Sequence, residues 1–354
     1  MPAQNFNSYE INDLNSSFEG MLRSFNEGPE IYKRTNIWKT FNNSILEIEN
    51  IRNDIDFYVN NFKTQINFIF HQIGVFNETH YLFKRISQLT EGKIDEGGGT
   101  IYPHLSPLLY GKSREELLTY AKFCYLLDQY TLAQDNLNLF KFFNEPQLGN
   151  SIRIKANNRF ISQDLSTSYL DFLLIKKNLD LNFKKNISIL ELGAGYGCLA
   201  YIFIKLFTNI KYIIVDIPES LIISQTYLSK IFPDKKIYFH KNFSSYSEIS
   251  KEFESAQICF LTPNQIENLP DKSIDFSISI NCLSDLNDFQ IKHYLKFFQR
   301  ISIIGNHIRT EIPKNDNNYR VWGQESHKIE SIESYVNNGN VIYEESSEIL
   351  EKTI

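Results

Sequence analysis

One stretch of the chain joins an acidic residue to three closely spaced glycines, a combination suited to holding a ligand. Residues 191–197 read Glu-Leu-Gly-Ala-Gly-Tyr-Gly and follow the mostly apolar segment 187–190. Glycine adopts positive φ without strain and has no side chain, so a ligand can lie directly against the main chain. Apolar residues recur at helical spacing from Leu199 to Phe207, so the pattern predicts a strand, a glycine turn and a helix.

A second acid, Asp216, ends the apolar run 211–215 and supports a nucleoside ligand. An acidic residue at the tip of the second strand of an open α/β sheet can accept hydrogen bonds from both ribose hydroxyls. The free amides at the start of the predicted helix favour a carboxylate or a phosphate. The alternative is a structural turn that binds nothing. The regular arrangement of Glu191, the glycines and Asp216 makes that alternative the weaker one.

The glycine spacing separates two classes of cofactor. Dinucleotide-binding loops follow the pattern G-x-G-x-x-G, in which the third glycine allows close packing of helix and strand. In this chain Cys198 stands where that third glycine would be. The run Glu191-x-Gly193-x-Gly195-x-Gly197 resembles the first motif of class I S-adenosylmethionine-dependent methyltransferases. The resemblance implies a Rossmann-like α/β fold, S-adenosylmethionine as cofactor and S-adenosylhomocysteine as product.

The resemblance also implies a role for each residue of the site. Glu191 would hold the methionine amino group, the loop 193–197 the methionyl part, and Asp216 the ribose. Tyr169, which precedes the first strand of the fold, is predicted to cover the methionyl end. The full set of predicted cofactor-binding residues is Tyr169, Glu191, Gly193, Ala194, Gly195, Tyr196, Gly197, Asp216, Ile217, Thr262 and Asn281.

A second motif, 275–286, narrows the resemblance to a family of bacterial sugar O-methyltransferases. That family typically shows a strand that ends in Asn, followed by a serine-like residue and then Glu-Met. Asn281 matches the Asn, Cys282 stands in place of the serine, and Asp285 stands in place of the glutamate. The segment 148–162, with its Leu-Gly-Asn and Asn-Arg-Phe-Ile-Ser runs, also resembles the family. The resemblance implies methylation of a sugar hydroxyl in a surface-polysaccharide precursor.

Methyl transfer to a hydroxyl group benefits from a general base. The sulfonium already activates the methyl group, so the protein mainly positions the reactants, and a base adds a factor of about 10² to 10⁴. Asp285 is the first candidate, as base or as ligand of a divalent ion, with an N-cap or surface role as the alternative. His293 is the second candidate, and His307 and Glu311 are weaker ones. No carboxylate cluster in the sequence has clear metal-ligand spacing. The sequence therefore leaves a divalent metal ion open but does not support one.

The composition is that of an ordinary globular protein, and it disfavours some classes of function. The 354 residues are 42% hydrophobic, and the formal net charge of −6 leaves no basic excess for binding nucleic acid. The four cysteines are far apart and form no C-x-x-C pair, which favours a reduced, cytoplasmic protein over a disulfide framework. We expect neither a signal peptide nor a membrane span, because the N-terminus lacks the signal pattern and no apolar run is long enough.

The pattern of apolar residues divides the chain near residue 150. Residues 1–150 are predicted to form a helical domain that serves substrate binding or oligomerisation, and their first 35 residues are polar and poorly periodic. Residues 151–354 are predicted to form a Rossmann-like methyltransferase domain, in which strands and helices alternate. The predicted helices of the first domain cover 38–73, 78–89 and 114–144.

In the second domain, two segments, 236–240 and 257–262, are predicted strands that follow the second strand of the core sheet. The sequence does not decide which of them is the third strand of that sheet. The other predicted strands cover 152–155, 159–162, 187–192, 211–216, 274–281, 306–312 and 340–344. The predicted helices cover 166–178, 198–207, 218–232, 288–301 and 329–337.

Three other functions stay open on the sequence. The first is a nucleoside-binding dehydrogenase, which Cys198 disfavours. The second is a methyltransferase that acts on another small molecule or on a protein. The third is a non-catalytic scaffold that keeps the fold and the cofactor, a role that the aromatic helix 114–144 would suit. Cofactor binding separates the first from the rest, and turnover on sugars separates an enzyme from a scaffold.

Overall fold

The computed structural model describes residues 8–35, 48–63, 114–151, 154–156, 158–179 and 186–309. The helices are α1 (Ser8–Glu27), α2 (Ile48–Asn53), α3 (Ile55–Asn61), α4 (Arg114–Gln134), α5 (Gln163–Leu179), α6 (Cys198–Leu206), α7 (Pro218–Ile231), α8 (Tyr246–Ser255) and α9 (Asp288–Ile301). The strands are β1 (Ile154–Ala156), β2 (Arg159–Ile161), β3 (Ile187–Leu192), β4 (Ile210–Val215), β5 (Ile237–Tyr238), β6 (Ile258–Leu261), β7 (Ile274–Ile280) and β8 (Ser302–Arg309). The predicted elements at 78–89, 329–337 and 340–344 lie outside the described residues, as do parts of the predicted helix 38–73.

The chain forms two compact units whose division differs from the predicted boundary near residue 150. Unit 1 contains residues 57–177, and unit 2 contains residues 5–56 together with 178–353. The segment 5–56 therefore belongs with the sheet rather than with the helical unit.

The described part of unit 1 includes helix α4, the antiparallel hairpin β1–β2 and most of helix α5. Helix α4 ends ten residues earlier than the sequence predicts. The Asp135 carboxylate accepts hydrogen bonds from the backbone N–H groups of Leu137 at 3.1 Å and Phe140 at 2.7 Å. A short polar side chain that satisfies backbone donors in this way competes with continuation of the helix.

Buried ion pairs tie the elements of unit 1 together. The Lys63 ammonium and the Glu145 carboxylate are both fully buried and form an ion pair, and the Ser162 hydroxyl donates to the same carboxylate at 2.5 Å. The Arg159 guanidinium donates to Asp128 at 2.5 Å. Because a buried charge is tolerated only when it is paired, these contacts are structural requirements of the unit.

Unit 2 contains a six-stranded parallel sheet in the order β5-β6-β4-β3-β7-β8. From β3 the chain moves outward to one side and then returns to β7 on the other side. This is the topology of a doubly wound, Rossmann-like sheet, so the predicted fold class is confirmed. Such sheets bind ligands beyond the carboxyl ends of the strands, at the point where the strand order reverses. Of the two candidates for the third strand, β6 takes the inner position beside β4 and β5 forms the edge.

Helix α1 was not expected, because the first 35 residues look polar. Its buried residues Phe18, Met21, Leu22 and Phe25 recur at steps of three and four and form an apolar stripe. The stripe packs the helix in unit 2, where the Gln225 side chain on α7 also donates to Ser17 at 2.9 Å. The sequence pattern predicted no helix before residue 38, so the helix at residues 8–27 was missed. None of the helices among the described residues is long and apolar enough to cross a membrane.

Candidate functional site

The glycine loop has the predicted strand–turn–helix conformation. Strand β3 ends at Leu192, and the Gly193 N–H donates to the Val215 carbonyl of the neighbouring strand at 2.8 Å. Gly193, Gly195 and Gly197 all have positive φ, at 76°, 59° and 90°. Residues with a Cβ rarely adopt such angles, which explains why the turn needs glycine. Residues 193–195 are partly exposed, so their main chain is accessible to a ligand.

Cys282 packs tightly against this loop. A Cβ added at Gly193 would lie 2.3 Å from the Cys282 Cβ and 2.5 Å from its Sγ. Burial raises the pKa of the Cys282 thiol, and the charges of Asp216, Asp285 and Glu191 raise it further. The loop, Cys282 and three of the predicted acidic residues are therefore neighbours in unit 2.

Asp216 follows β4 at the carboxyl edge of the sheet and is only 8% exposed. Its Oδ2 accepts a hydrogen bond from the Gly195 N–H and its Oδ1 accepts one from the Ile217 N–H, both at 2.8 Å. Burial raises the pKa of Asp216 to about 7; the two N–H donors lower it, and the nearby carboxylates of Glu219 and Asp285 add to the rise. A carboxyl group with a raised pKa at the carboxyl edge of a doubly wound sheet is a functional-site candidate.

Glu191 is buried within the sheet, where its Oε2 accepts a hydrogen bond from the Tyr212 hydroxyl at 2.7 Å. Burial raises the pKa of Tyr212 well above its ordinary value, and the Glu191 carboxylate adds to the rise. The tyrosine therefore stays protonated and acts as a donor. That Glu191 also holds a methionine amino group stays a prediction.

The Tyr212→Phe variant is expected to lower the free energy of unfolding by about 1–3 kcal/mol, because the buried Glu191 carboxylate loses a hydrogen-bond donor. Urea denaturation at neutral pH measures this change. Tyr201→Phe, in helix α6, is the control, since the Tyr201 hydroxyl accepts a hydrogen bond from the Lys205 ammonium at 3.2 Å. Equal stability of the Tyr212→Phe variant and the wild type would show that Tyr212 does not support Glu191.

The pairing of the strands places two further predicted residues at the same edge. Val215 pairs with Leu261, and Leu192 pairs with Ser279, so Thr262 and Asn281 follow their strands beside the glycine loop and Asp216. Thr262 is fully buried and caps the 3₁₀ helix Pro263–Asn268. Asn281 is partly exposed and has a positive φ of 56°, which asparagine tolerates better than most residues.

The two predicted tyrosines are packing residues in this structure. Tyr196 is buried against Tyr227, with the ring centroids 5.2 Å apart. Tyr169 is fully buried in unit 1, where its hydroxyl donates to Asp135 at 3.1 Å and its ring contacts Phe140. These partners account for the positions of both side chains, and their roles in cofactor binding stay predictions.

The candidate bases differ in their surroundings. Asp285 ends the 3₁₀ helix Leu283–Asp285 directly after β7, and its charge reaches both Asp216 and Cys282. His293, on α9, contacts the Tyr32 hydroxyl at 2.6 Å and Glu267 at 2.9 Å and is about one-third exposed.

Neither of the weaker candidates gains support from the structure. His307 is buried on β8, and Glu311 lies outside the described residues. Among the described residues, no group of three His, Cys, Asp or Glu side chains is placed to hold a metal ion.

Sequence reasoning missed several residues at this edge, chiefly those of the segment Glu30–Thr35 and Glu219. The Arg34 side chain donates to Glu219 at 2.8 Å, and the Thr35 hydroxyl donates to the Asp285 carbonyl at 2.8 Å. The sequence could have indicated Glu219, since an acid in the first helical turn after Asp216 lies close to that residue. It could not have indicated Arg34, because the partner of Arg34 is 185 residues away along the chain.

Comparisons with known proteins find partial likeness to solved structures. No protein-family model and no curated protein sequence matches the chain. Phosphoethanolamine N-methyltransferase 2 of Haemonchus contortus, solved with phosphomonomethylethanolamine and S-adenosylhomocysteine, is 15% identical; the match covers 48% of this chain and 36% of that one, with a TM-score of 0.32.

Two further structures show likeness of similar extent. Mitomycin 7-O-methyltransferase MmcR is 10% identical over 44% of this chain and 42% of that one, with a TM-score of 0.27. The (4+2)-cyclase SpnF is 12% identical over 49% of this chain and 57% of that one, with a TM-score of 0.34. In each of the three cases the match spans less than two thirds of the solved chain.

Proposed function

We propose that the chain is an S-adenosylmethionine-dependent methyltransferase that acts on a sugar hydroxyl of a surface-polysaccharide precursor. The observation that carries the proposal is Asp216, a nearly buried carboxylate at the carboxyl edge of the sheet beside a glycine loop with accessible main chain. An acid in this position is suited to bind the two hydroxyls of a ribose.

The residues present fit such a cofactor. Each oxygen of the Asp216 carboxylate accepts one backbone N–H, and a carboxylate oxygen has lone pairs for a second donor. Both oxygens can therefore still accept a ribose hydroxyl. The loop 193–195 offers main chain without bulky side chains, and Glu191 lies at the end of the strand that leads into it.

Each residue then has a defined task. The cofactor supplies an electrophilic sulfonium methyl group when it is bound. Asp216 holds the ribose, the loop 193–197 orients the methionyl part, and Glu191 binds its amino group. Asp285 accepts the proton of the sugar hydroxyl, and the hydrogen bond from Thr35 to its carbonyl fixes its main chain. The sugar acceptor rests on the resemblance of segment 275–286 to bacterial sugar O-methyltransferases.

The cofactor class is tested by calorimetric titration of the wild type with S-adenosylhomocysteine and, separately, with NAD. Binding of S-adenosylhomocysteine alone is the expected result. Binding of NAD alone would replace the proposal by a dehydrogenase. Binding of neither would contradict the methyltransferase proposal.

The acceptor class is tested by turnover on a panel of nucleotide sugars and glycans, with mass spectrometry of the methylated products. Asp285→Asn is expected to keep cofactor binding and to lower turnover by about 10² or more, in line with the loss of a general base. Asp288→Asn, an exposed position three residues further on, is the control and should act like the wild type. Methylation of other small molecules or of proteins, without any of sugars, would contradict the sugar proposal.

A further inference from the structure

Residues Glu30–Thr35, which we call the strap, run along the carboxyl edge of the sheet in unit 2. The Gln290 side chain on α9 donates hydrogen bonds to two strap carbonyls, at 3.0 and 2.8 Å. The Tyr32 hydroxyl donates to Glu267, which lies in the 3₁₀ helix after β6. The Thr35 hydroxyl donates to a main-chain carbonyl after β7. The strap is thus anchored at the exits of two strands that border the candidate cofactor site.

The strap is also held near the end of a third strand, β4, by an ion pair between Arg34 and Glu219. Arg34 Nε donates to Glu219 Oε1 at 2.8 Å, and Arg34 Nη2 lies 2.7 Å from the same oxygen. The side chains are 11% and 1% exposed, so water screens the pair weakly. The Arg34 guanidinium also lies over the Phe25 ring, 4.7 Å from its centroid. Its position is therefore fixed by packing as well as by charge.

Glu219 links this ion pair to the ribose-binding acid. It lies three residues after Asp216, in the first turn of α7, and its negative charge opposes ionisation of Asp216. Arg34 brings a positive charge to this acidic region. The Asp216 carboxylate accepts hydrogen bonds from the N–H groups of Gly195 and Ile217. Among the described residues, Glu219, Asp285, Cys282 and Tyr294 are titratable side chains that interact with it electrostatically.

We propose that Arg34 is a positioning residue of the cofactor site, which holds Glu219 in place and offsets its charge beside Asp216. The inference rests on the proposed function, because it assigns Asp216 to ribose binding. Asp216 must be ionised to accept two hydroxyl hydrogen bonds fully, so a charge that favours its ionisation favours cofactor binding. By offsetting the Glu219 charge, Arg34 is expected to lower the pH above which the cofactor binds well.

Two substitutions that break the same ion pair should have opposite effects on this pH. Arg34→Met removes the positive charge that lies beside Glu219, so the pH midpoint of S-adenosylhomocysteine binding is expected to rise by about one unit. Glu219→Gln removes the charge that opposes ionisation of Asp216, so the midpoint is expected to fall by a similar amount. A purely structural ion pair would move both variants in the same direction or leave both midpoints unchanged.

Calorimetric titration with S-adenosylhomocysteine between pH 5.5 and 9 measures the midpoints. Changes in the protonation of the ligand itself over this range affect the wild type and all variants equally. Arg34→Lys keeps the charge and should keep the wild-type midpoint. If Arg34→Met does not fold, the double variant Arg34→Met/Glu219→Gln replaces the pair by neutral side chains. Its midpoint should lie above that of Glu219→Gln, which keeps the positive charge of Arg34. Arg52→Met, in an exposed ion pair with Glu19, is the control.

Separate outcomes bear on the two proposals. Failure of the wild type to bind S-adenosylhomocysteine would overturn the proposed function. Normal binding by the wild type, together with equal midpoints for the wild type and Arg34→Met, or for Glu219→Gln and the double variant, would overturn the role of Arg34 alone.

Discussion

The Asp216→Ala variant is expected to lose 10² to 10⁴-fold in affinity for S-adenosylhomocysteine. Two hydrogen bonds from ribose hydroxyls to a charged carboxylate are worth about 1.5–3 kcal/mol each, and each 1.4 kcal/mol corresponds to a factor of ten. The substitution also releases the Gly195 N–H, which Asp216 holds at 2.8 Å, so the loop loses part of its support. Calorimetric titration of the wild type and the variant measures the change.

The loss of affinity is not expected to reflect unfolding. The pKa of Asp216 is raised to about 7 in the folded protein, so the ionised form destabilises the fold relative to the unfolded chain. The protonated form of Asp216 therefore favours the folded state. This contribution is fully present at pH values below the ordinary pKa of an aspartate, and it is lost as the pH rises through about 7. At pH 8 the substitution removes that unfavourable charge together with two hydrogen bonds, so the melting temperature should change little.

An exposed acid gives the matched control for this prediction. Asp271, in the turn before β7, has a side chain that is 72% exposed and pairs with Arg300 at the surface. Asp271→Ala should bind S-adenosylhomocysteine as the wild type does, because exposed ion pairs contribute little. Wild-type affinity in Asp216→Ala would contradict the assignment of Asp216 to the cofactor.

The Gly193→Ala variant is expected to lower the free energy of unfolding by about 2–5 kcal/mol and to abolish cofactor binding. A positive φ of 76° costs alanine about 1–2 kcal/mol, and an overfilled site costs about 1–3 kcal/mol more. The overlap falls on the Cys282 Cβ, which cannot move without its backbone. The loop must shift away from its binding conformation, and urea denaturation and calorimetry measure the two effects.

Two further variants separate the causes. Cys282→Gly combined with Gly193→Ala removes the overlapping Cβ and Sγ, so it should restore the part of the stability that overfilling costs and leave the part due to φ. Gly20→Ala is the control, because a Cβ there meets nothing within 4 Å and the residue lies inside α1. It should stabilise the protein by about 0.5–1 kcal/mol. Unchanged stability and binding in Gly193→Ala would show that the loop does not need glycine there.

Local patterns predicted most of the regular structure of the sheet. The strands at 187–192 and 274–281 and the helices at 218–232 and 288–301 are confirmed to within one residue at each end. Each of them carries its own apolar periodicity and turn signals, which neighbouring residues suffice to read. Helix α1 was missed because its stripe of Phe18, Met21, Leu22 and Phe25 is embedded in polar residues.

The end of helix α4 shows a different limit. Apolar and aromatic residues continue beyond Gln134 in the sequence, so periodicity alone extends the helix to residue 144. The Asp135 side chain binds the backbone N–H groups of Leu137 and Phe140 and ends the helix first. A competition between side-chain and backbone hydrogen bonds is decided by geometry that a periodicity count does not contain.

The sequence by itself determined the Rossmann-like fold class, the conformation of the glycine loop and the position of Asp216 at the end of a strand. These features depend on residue types at short spacing, where propensity and steric restriction act locally. The tertiary structure decided that β6 rather than β5 lies beside β4, that Cys282 packs against Gly193, and that the strap brings Arg34 to Glu219. Those contacts join residues about 90 to 185 positions apart, or depend on which strands pair, so only the packing of the whole unit selects them.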